Sequence, residues 1–410
     1  MKQQCDRVAG LDVHRDTVVA CARIGRGDQP RIHRSTFATT TAGVAALAGW
    51  MADLEVTRVV MESSGVYWKP VYYPLEGLFA ELWLVNAAHV KNVPGRKTDV
   101  GDAEWLADVA AHGMVRPSFV PPPPVRALRE LTRYRRTQVS GRAQEVQRLD
   151  KLLQDAGIKI SSVASTVLGK SQRAMIEALI AGERDPAVLA GMALGRMRPK
   201  IPALSEALVG RFAAHHAVVA RAILDHIDFL DRTIARLDEQ IAQRLGPFLA
   251  AVALLKTIPG VGQATAEVIV AETGADMSRF PTAGHLAAWA GVAPANHESA
   301  GKRRPAGTRH GGAWLKRALV EAAKAAARTK GSYFGAHYGQ IAPPRGPNRA
   351  TMAVAHSILV VAWHMLSTGA TYQDLGGDYF ARRRAPELET RRLVARLEAL
   401  GHTVTLTPAA

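Results

Sequence analysis

Residues 7–24 read RVAGLDVHRDTVVACARI, two apolar runs separated by a short polar turn. The runs Arg7–Val13 and Thr17–Ile24 are short and rich in β-branched residues, a composition that predicts two strands joined by a tight turn. Arg31–Phe37 predicts a third strand by the same pattern. Three strands in succession indicate that the chain begins with a sheet.

The following residues alternate between helical and strand patterns. They predict a helix at Thr41–Leu54, a strand at Thr57–Met61, a helix around Tyr67–Leu78, a strand at Glu81–Val85 and a helix at Asp102–His112. Three strands in a row, followed by strands separated by helices, are typical of a mixed sheet covered by helices. This order is also the one expected of the ribonuclease-H-like fold. We therefore predict an α/β domain over residues 1–120.

A proline run at residues 121–124 is stiff and extended, which marks a linker. Beyond it, Val125–Leu153 predicts a strongly basic helix, and residues 157–202 predict an irregular stretch. From Leu204 to Leu245 apolar residues recur every three or four positions, as in one long amphipathic helix. A coiled-coil hairpin of the two long helices is one arrangement over residues 121–247, and a plain helical bundle is the other.

The remaining chain divides into a mainly helical domain over residues 248–372 and a basic tail over residues 373–410. The predicted fold class is therefore α/β plus α. It has a mixed-sheet domain first, a helical middle, and a helical last domain.

Net charge is the strongest compositional signal. The 410 residues include 52 Lys and Arg against 36 Asp and Glu, which gives a net charge of +16. Such a charge implies a polyanionic partner, nucleic acid first and an anionic membrane surface second. A basic housekeeping enzyme stays open, because charge alone specifies no function.

Cys5 and Cys21 are the only cysteines and form no CxxC pair, which excludes a disulfide framework or a cysteine zinc site and fits a reducing cytoplasm. The first residues contain no apolar stretch long enough for a secretory signal. The longest apolar run, Met352–Leu366, is shorter than the ~20 residues of a spanning helix. We predict no membrane partner and a cytoplasmic protein, associated with the nucleoid when bound to DNA.

Four carboxylates occupy positions that suit metal binding. Asp12 and Glu62 end two predicted strands, and Asp99 and Asp102 lie three residues apart at the beginning of a predicted helix, on one face. Carboxylate oxygens hold Mg²⁺, and a pair of such ions can bind the attacking and leaving oxygens of a phosphodiester. A strand-end Asp is also a common turn residue, and Asp99 or Asp102 could be a helix N-cap.

Two further segments suit phosphate binding. In IPGVG, Gly260 and Gly262 could let backbone N–H groups approach a DNA phosphate, although such loops also occur as plain turns. Residues 290–319 surround Ser299 with glycines and with the basic residues Lys302, Arg303, Arg304 and Arg309. This segment could stabilise a phosphoryl group, or it could be a flexible basic loop that binds nucleic acid.

Taken together, these motifs resemble the DEDD transposases of the insertion-sequence-110 family, which include recombinases guided by a bridge RNA. The motifs are GLDVH, MESSGVYW, KTDVGDAEWLA, IPGVG, WAGVAPANHESAGKRR and GGAWLKRAL, in family order over nearly the whole chain. One departure is that many members have glycine directly after the serine, whereas Ala300 intervenes here.

The resemblance implies a RuvC-like N-terminal domain, a coiled-coil spacer and a C-terminal transposase domain. It also implies that Asp12, Glu62, Asp99 and Asp102 bind Mg²⁺, and that Ser299 attacks DNA to form a phosphoserine ester. The implied partners are donor and target DNA, a structured bridge RNA, and a homodimer that assembles into a tetramer.

The sequence thus predicts a DNA recombinase that excises and inserts its own element. Two other functions stay open. One is a RuvC-like, metal-dependent junction-resolving nuclease that uses only the carboxylates and water. The other is a non-catalytic scaffold that binds nucleic acid.

Overall fold

The computed structural model describes residues 3–27, 29–63, 65–86, 90, 101–295, 298–299, 301–303, 307–308, 311–383 and 386–407. The chain divides into two compact units, residues 1–120 and 121–410. Each unit is described separately below.

A five-stranded sheet forms the centre of the first unit. Its strands are β1 (Arg7–Val13), β2 (Thr17–Ile24), β3 (Arg31–Ala38), β4 (Arg58–Glu62) and β5 (Glu81–Val85). The order across the sheet is β3-β2-β1-β4-β5. Strands β1, β2 and β3 are antiparallel neighbours, whereas β1, β4 and β5 run parallel. The predicted mixed sheet is therefore confirmed.

Helices cover both faces of this sheet: α1 (Thr41–Asp53), α2 (Lys69–Leu75) and α3 (Asp102–Ala111). Because successive side chains of a strand point to opposite faces, each strand feeds two cores. Leu11 and Met61 pack with Leu47 of α1 on one face. Val8 and Val60 pack with α3 on the other.

Gly10 brings α3 unusually close to β1. A Cβ atom added at Gly10 would lie inside contact distance of the Ala103 carbonyl oxygen and 2.6 Å from the Ala107 nitrogen. At the other end of the helix, Arg58 Nη1 donates to the Ala110 carbonyl oxygen at 2.8 Å. Helix α3 therefore runs antiparallel to β1 and β4, with its N-terminus toward their carboxyl ends.

Two long antiparallel helices dominate the second unit, α4 (Pro123–Asp155) and α9 (Ala214–Arg244). Arg135 pairs with Asp238 and Arg142 pairs with Asp231, so residue numbers rise along one helix as they fall along the other. His226 Nδ1 lies 3.2 Å from Glu145 Oε1 further along the same seam. The basic helix predicted at residues 125–153 is confirmed, while its coiled-coil character stays a prediction.

The prediction of a single helix from Leu204 to Leu245 is wrong. The structure has a short helix α8 (Ile201–Ala207), a break, and then α9. Backbone hydrogen bonds explain the break: Lys159 N donates to the Ala207 carbonyl oxygen and Arg211 N to that of Ala156, both at 2.7 Å. The apolar periodicity continues across the break because these residues share one core with the loop after α4.

The prediction that residues 157–202 are irregular is also wrong. They contain α5 (Ile160–Val163), α6 (Lys170–Ala181), α7 (Pro186–Gly191) and a 3₁₀ helix at residues 195–200. Buried side chains such as Met175, Ile176 and Leu189 join the ends of α4 and α9 in one apolar cluster. Scattered glycine and proline residues lie at the ends of these short helices. The sequence pattern therefore suggested an irregular stretch where the structure has several short packed helices.

The rest of the second unit is a helical bundle. Its helices are α10 (Leu249–Leu255), α11 (Gln263–Thr273), α12 (Ala283–Trp289), α13 (Ala313–Ala326), α14 (Tyr333–Arg345) and α15 (Pro347–Thr368), followed by α16 (Tyr379–Arg382) and α17 (Pro386–Glu398) in the tail. Among the described residues, only α15 is long and apolar enough to cross a membrane. The core helix of a bundle meets the same criteria, and 44% of the most apolar window of α15 is buried.

A buried carboxylate fixes the beginning of α4 to this bundle. Glu272, at the end of α11, is 1% exposed. Arg133 donates to its two carboxylate oxygens at 2.7 and 2.8 Å, and Arg129 donates to its backbone carbonyl oxygen at 2.6 Å. Two charge-assisted bonds in parallel define both the position and the rotation of α4.

We expect Gly10→Ala to destabilise the first unit by roughly 1–3 kcal/mol, because the added methyl group overpacks the contact with α3. Gly49→Ala is the matched control: Gly49 lies in α1 and an added Cβ would meet nothing within 4 Å. That change should stabilise the helix by roughly 0.5–1 kcal/mol. Urea titration of both variants measures the difference, and equal stability would contradict the close approach.

Candidate active site

Asp12 and Glu62 lie side by side at the carboxyl ends of two parallel strands. In the register of β1 and β4, Leu11 is opposite Met61, so Asp12 and Glu62 are the next residues along each strand. Asp12 has a 27% exposed side chain. The sequence placed both residues at strand ends; only the register shows that the two strands are neighbours.

Both carboxylates belong to the face of the sheet that α3 covers. Side chains alternate along a strand, so Asp12 shares a face with Gly10, and Glu62 shares one with Val60. Asp102 is in the first turn of α3, adjacent to the Ala103 that approaches Gly10. Three predicted metal ligands therefore occupy the same end of the same face.

The fourth predicted ligand, Asp99, lies outside the described residues. Among the residues that are described, no group of three or more His, Cys, Asp and Glu side chains is close enough to hold a metal ion. The shared donor chemistry of Asp12, Glu62 and Asp102, oxygen atoms at one edge, nevertheless fits Mg²⁺.

Neighbouring charged residues are engaged in ion pairs. His14 Nε2 lies 3.3 Å from Asp12 Oδ2, so this histidine contacts one of the predicted metal ligands. Asp16 pairs with Arg15, and Glu104 pairs with Arg34. The carboxylates of Asp16 and Glu104 are thus paired with surface arginines.

Ser299 lies at the end of a β-hairpin in the second unit. The hairpin pairs Pro294 with Thr308 and then Ser299 (β6, Glu298–Ser299) with Lys302 (β7, Lys302–Arg303). Two residues connect the paired Ser299 and Lys302, and the second, Gly301, has φ +74°. Glycine adopts this conformation without strain, which explains why a glycine follows the serine at this interval.

The base of the hairpin is fixed to α13. Lys316 Nζ donates to Thr308 Oγ1 at 2.5 Å. Gly311 packs against the backbone of Gly291 so closely that an added Cβ would lie 2.6 Å from the Gly291 Cα. The segment predicted as a possible flexible loop therefore has an ordered base.

The predicted basic residues around Ser299 are placed only in part. Lys302 is exposed and directly opposite Ser299 in the hairpin. Arg303 is opposite Glu298. Arg304 and Arg309 lie outside the described residues.

The two glycines of the IPGVG loop have different surroundings. Gly260 has φ +84°, and an added Cβ would lie 2.7 Å from the Ala326 nitrogen in α13. Gly262 is the N-cap residue of α11, and an added Cβ would meet nothing within 4 Å. Gly262 is open to an approaching ligand, whereas Gly260 permits close packing of the loop on α13.

Sequence reasoning missed two residues that hold the predicted site residues in place. Gly10 was read only as part of a strand, although a glycine inside a buried strand is a signal of close backbone approach. Glu321 of α13 was not singled out, yet it pairs with Arg136 of α4 and ties the hairpin-bearing helix to the long helix. Its partner is 185 residues away, a separation that no local pattern reveals.

Two family models match the chain. The first, described as Transposase and named for a DEDD transposase of IS110, covers residues 9–158. The second, described as Transposase IS116/IS110/IS902 family, covers residues 252–339. Together they include every predicted site residue.

Curated relatives agree with these matches. The chain is 26% identical to a transposase for insertion sequence element IS1111A from Coxiella burnetii over 90% of this chain and 91% of that protein. It is 24% identical to a probable family 20 transposase from Pseudomonas aeruginosa over 80% and 89% of the two chains. It is 33% identical to an IS110 insertion-element protein from Streptomyces coelicolor over 29% and 30%. With its strand-end carboxylates and its serine hairpin each inside a matched segment, the chain belongs to the IS110 family of transposases.

Proposed function

We propose that this transposase cuts and rejoins DNA with two groups of residues, the carboxylates Asp12, Glu62, Asp99 and Asp102 and the hydroxyl of Ser299. The observation that carries the proposal is the register that sets Asp12 beside Glu62 at the edge where α3 begins with Asp102. A sheet of order β3-β2-β1-β4-β5, with only β2 antiparallel to its two neighbours, also supports a ribonuclease-H-like, RuvC-like fold.

The four carboxylates would hold Mg²⁺. When bound, the cation offsets the negative charge of the phosphodiester and lowers the pKa of a coordinated hydroxyl. Gathering several carboxylates at one edge costs electrostatic repulsion, which cation binding relieves. His14, next to Asp12, is placed to orient that carboxylate.

Ser299 would supply the nucleophile. Its Oγ attacks the phosphorus, the bond from phosphorus to the leaving deoxyribose oxygen breaks, and the serine proton ends on that oxygen. A serine hydroxyl needs activation at neutral pH. Lys302, Arg303, Arg304 and Arg309 would stabilise the charge on the phosphoryl group. The reverse step, attack by a deoxyribose hydroxyl, rejoins the DNA and frees the serine.

Sequence recognition would rest on a bridge RNA that pairs with donor and target DNA. Base pairing leaves the protein to contact mainly the backbone, which the exposed Lys302 of the hairpin can do. The arginines of α4 described above pair with carboxylates of the protein itself. A homodimer that assembles into a tetramer would bring four carboxylate clusters and four serines to the two DNA partners. On α9, the apolar residues Val218, Val219 and Phe229 are exposed, which leaves surface for such self-association.

We expect Asp12→Asn and Glu62→Gln each to lower DNA cleavage by about a thousandfold, because loss of a metal ligand removes several kcal/mol of transition-state stabilisation. Asp16→Asn is the matched control, since the carboxylate of Asp16 pairs with the exposed Arg15. Cleavage of labelled DNA in Mg²⁺ measures the effect. Wild-type cleavage by Asp12→Asn would refute the assignment.

For Ser299, we expect a protein–DNA adduct that survives denaturation and disappears in Ser299→Ala. The exposed Ser367, whose hydroxyl donates to the Trp363 carbonyl oxygen, provides the control variant Ser367→Ala, which should retain the adduct. Gel shift under denaturing conditions and peptide mapping identify the attachment site. An adduct on another residue would disprove the serine mechanism, and cleavage without any adduct would favour the junction-resolving nuclease.

The two loop glycines should respond differently to alanine. Gly260→Ala forces a side chain into φ +84° and into α13, so we expect a loss of stability of roughly 1–3 kcal/mol. Gly262→Ala should keep the melting temperature but weaken DNA binding about tenfold, the worth of one hydrogen bond to a charged group. Thermal melting and DNA titration are the two measurements. A Gly260→Ala variant that keeps its stability but loses DNA binding would contradict the assignment of Gly260 to packing and Gly262 to DNA contact.

A further inference from the structure

A cavity of about 410 Å³ lies in the helical bundle, and none of the site residues above lines it. It is bounded by the outer face of α15, the beginning of α14 and the extended residues 370–375 that follow α15. Its volume falls within the range of about 300–1,000 Å³ that small-ligand sites occupy.

The cavity lining combines aromatic and aliphatic side chains. Tyr333 and Tyr372 contribute aromatic rings, and Val360 and Val361 contribute aliphatic groups. Tyr372 is held in place, because its ring stacks on Phe334 at 5.8 Å and an interplanar angle of 15°. Its hydroxyl also donates to Asp374 at 2.9 Å. This part of the lining is therefore preformed.

The cavity lining carries no carboxylate, ammonium or guanidinium group. Among the described residues that line it there is no Lys, Arg, Asp or Glu, and the polar side chains are those of His356, Ser357, His364, Thr368, Thr371 and Gln373, together with the two tyrosine hydroxyls. Burial lowers the pKa of His356, so its imidazole is uncharged at neutral pH. A phosphate or an ammonium group in this cavity would lack a compensating charge, which is costly.

These properties select a flat, uncharged ligand with hydrogen-bonding edges. Tyrosine rings and aliphatic side chains provide stacking and apolar contact, and the imidazole, hydroxyl and amide groups provide donors and acceptors for a ring edge. In a protein with a net charge of +16 that belongs to a transposase family, the compound of this kind brought to the surface is a nucleobase.

We propose that this cavity binds one unpaired nucleobase of a single-stranded segment of the nucleic acid on which the protein acts. The base enters the cavity while its phosphates stay outside in solvent. Enzymes and RNA-binding modules hold unpaired bases in this way, by stacking and edge hydrogen bonds. The proposal extends the proposed function, since it rests on a nucleic acid substrate, but it requires neither the carboxylates nor Ser299.

The first test maps contact in the full-length wild-type protein. Single-stranded 12-nucleotide DNA and RNA, each with one central 5-iodouracil, are irradiated with the protein in the absence of divalent metal. We expect crosslinks on Tyr333, Tyr372 or His356. Crosslinks on DNA alone, on RNA alone or on both identify the source of the base, whereas crosslinks confined to residues outside the cavity lining would overturn the proposal.

The second test fills the cavity. Val360→Phe should weaken binding of the oligonucleotide about tenfold, the contribution of one stacked base. Val188→Phe is the matched control, because Val188 is 48% exposed on α7, outside the cavity. An abasic site at the centre of the oligonucleotide should cause the same loss in the wild type and no further loss in Val360→Phe. Additive losses would show that the base binds elsewhere.

If Val360→Phe lowers the melting temperature, Val361→Phe is the alternative variant that fills the cavity. The crosslink map also tests the proposal without any variant. Because no metal is present, failure of the cleavage mechanism leaves these measurements unchanged. Conversely, Ser299→Ala should bind and crosslink like the wild type. Loss of cleavage with intact crosslinking, or the reverse, thus separates this proposal from the proposed function.

Discussion

The close approach of α3 to β1 at Gly10 is the contact on which the predicted carboxylate cluster depends. Helix and strand backbones are separated there by less than the space of one methyl group. This approach sets the beginning of α3, with Asp102, at the end of the sheet where the strands carry Asp12 and Glu62. A wider gap would leave the same residues at the same positions in sequence, but would carry Asp102 away from those strand ends.

Strands and helices of the first unit were predictable because each is short, bounded by polar residues and buried on a regular face. β1, β2 and β5 have the predicted limits, and β4 differs by one residue at each end. That Asp12 and Glu62 are neighbours was harder to predict from the sequence, since it depends on which strand pairs with β1. Sequence periodicity identifies strands but not their order, and the motif resemblance supplied what the pattern lacked.

Errors in the second unit have a different origin. A period of three to four residues is the same whether it belongs to one helix or to two helices that share a core. Leu204 and Leu224 lie in one apolar cluster although the break near Gly210 separates their helices. Likewise, Glu272 and its arginines are more than 130 residues apart in the chain. Long-range contacts of this kind leave no trace in a local window.

The buried Glu272 has a mechanical consequence. Helix α4 has 33 residues and is therefore about 50 Å long, and its beginning is locked by Arg129 and Arg133. A rotation of about 10° at that end would carry the far end by roughly 9 Å, by the geometry of a rigid rod of this length. One buried carboxylate thus sets the direction of a helix that is about as long as one and a half turns of DNA. Each residue added to the helix would enlarge the displacement of its far end.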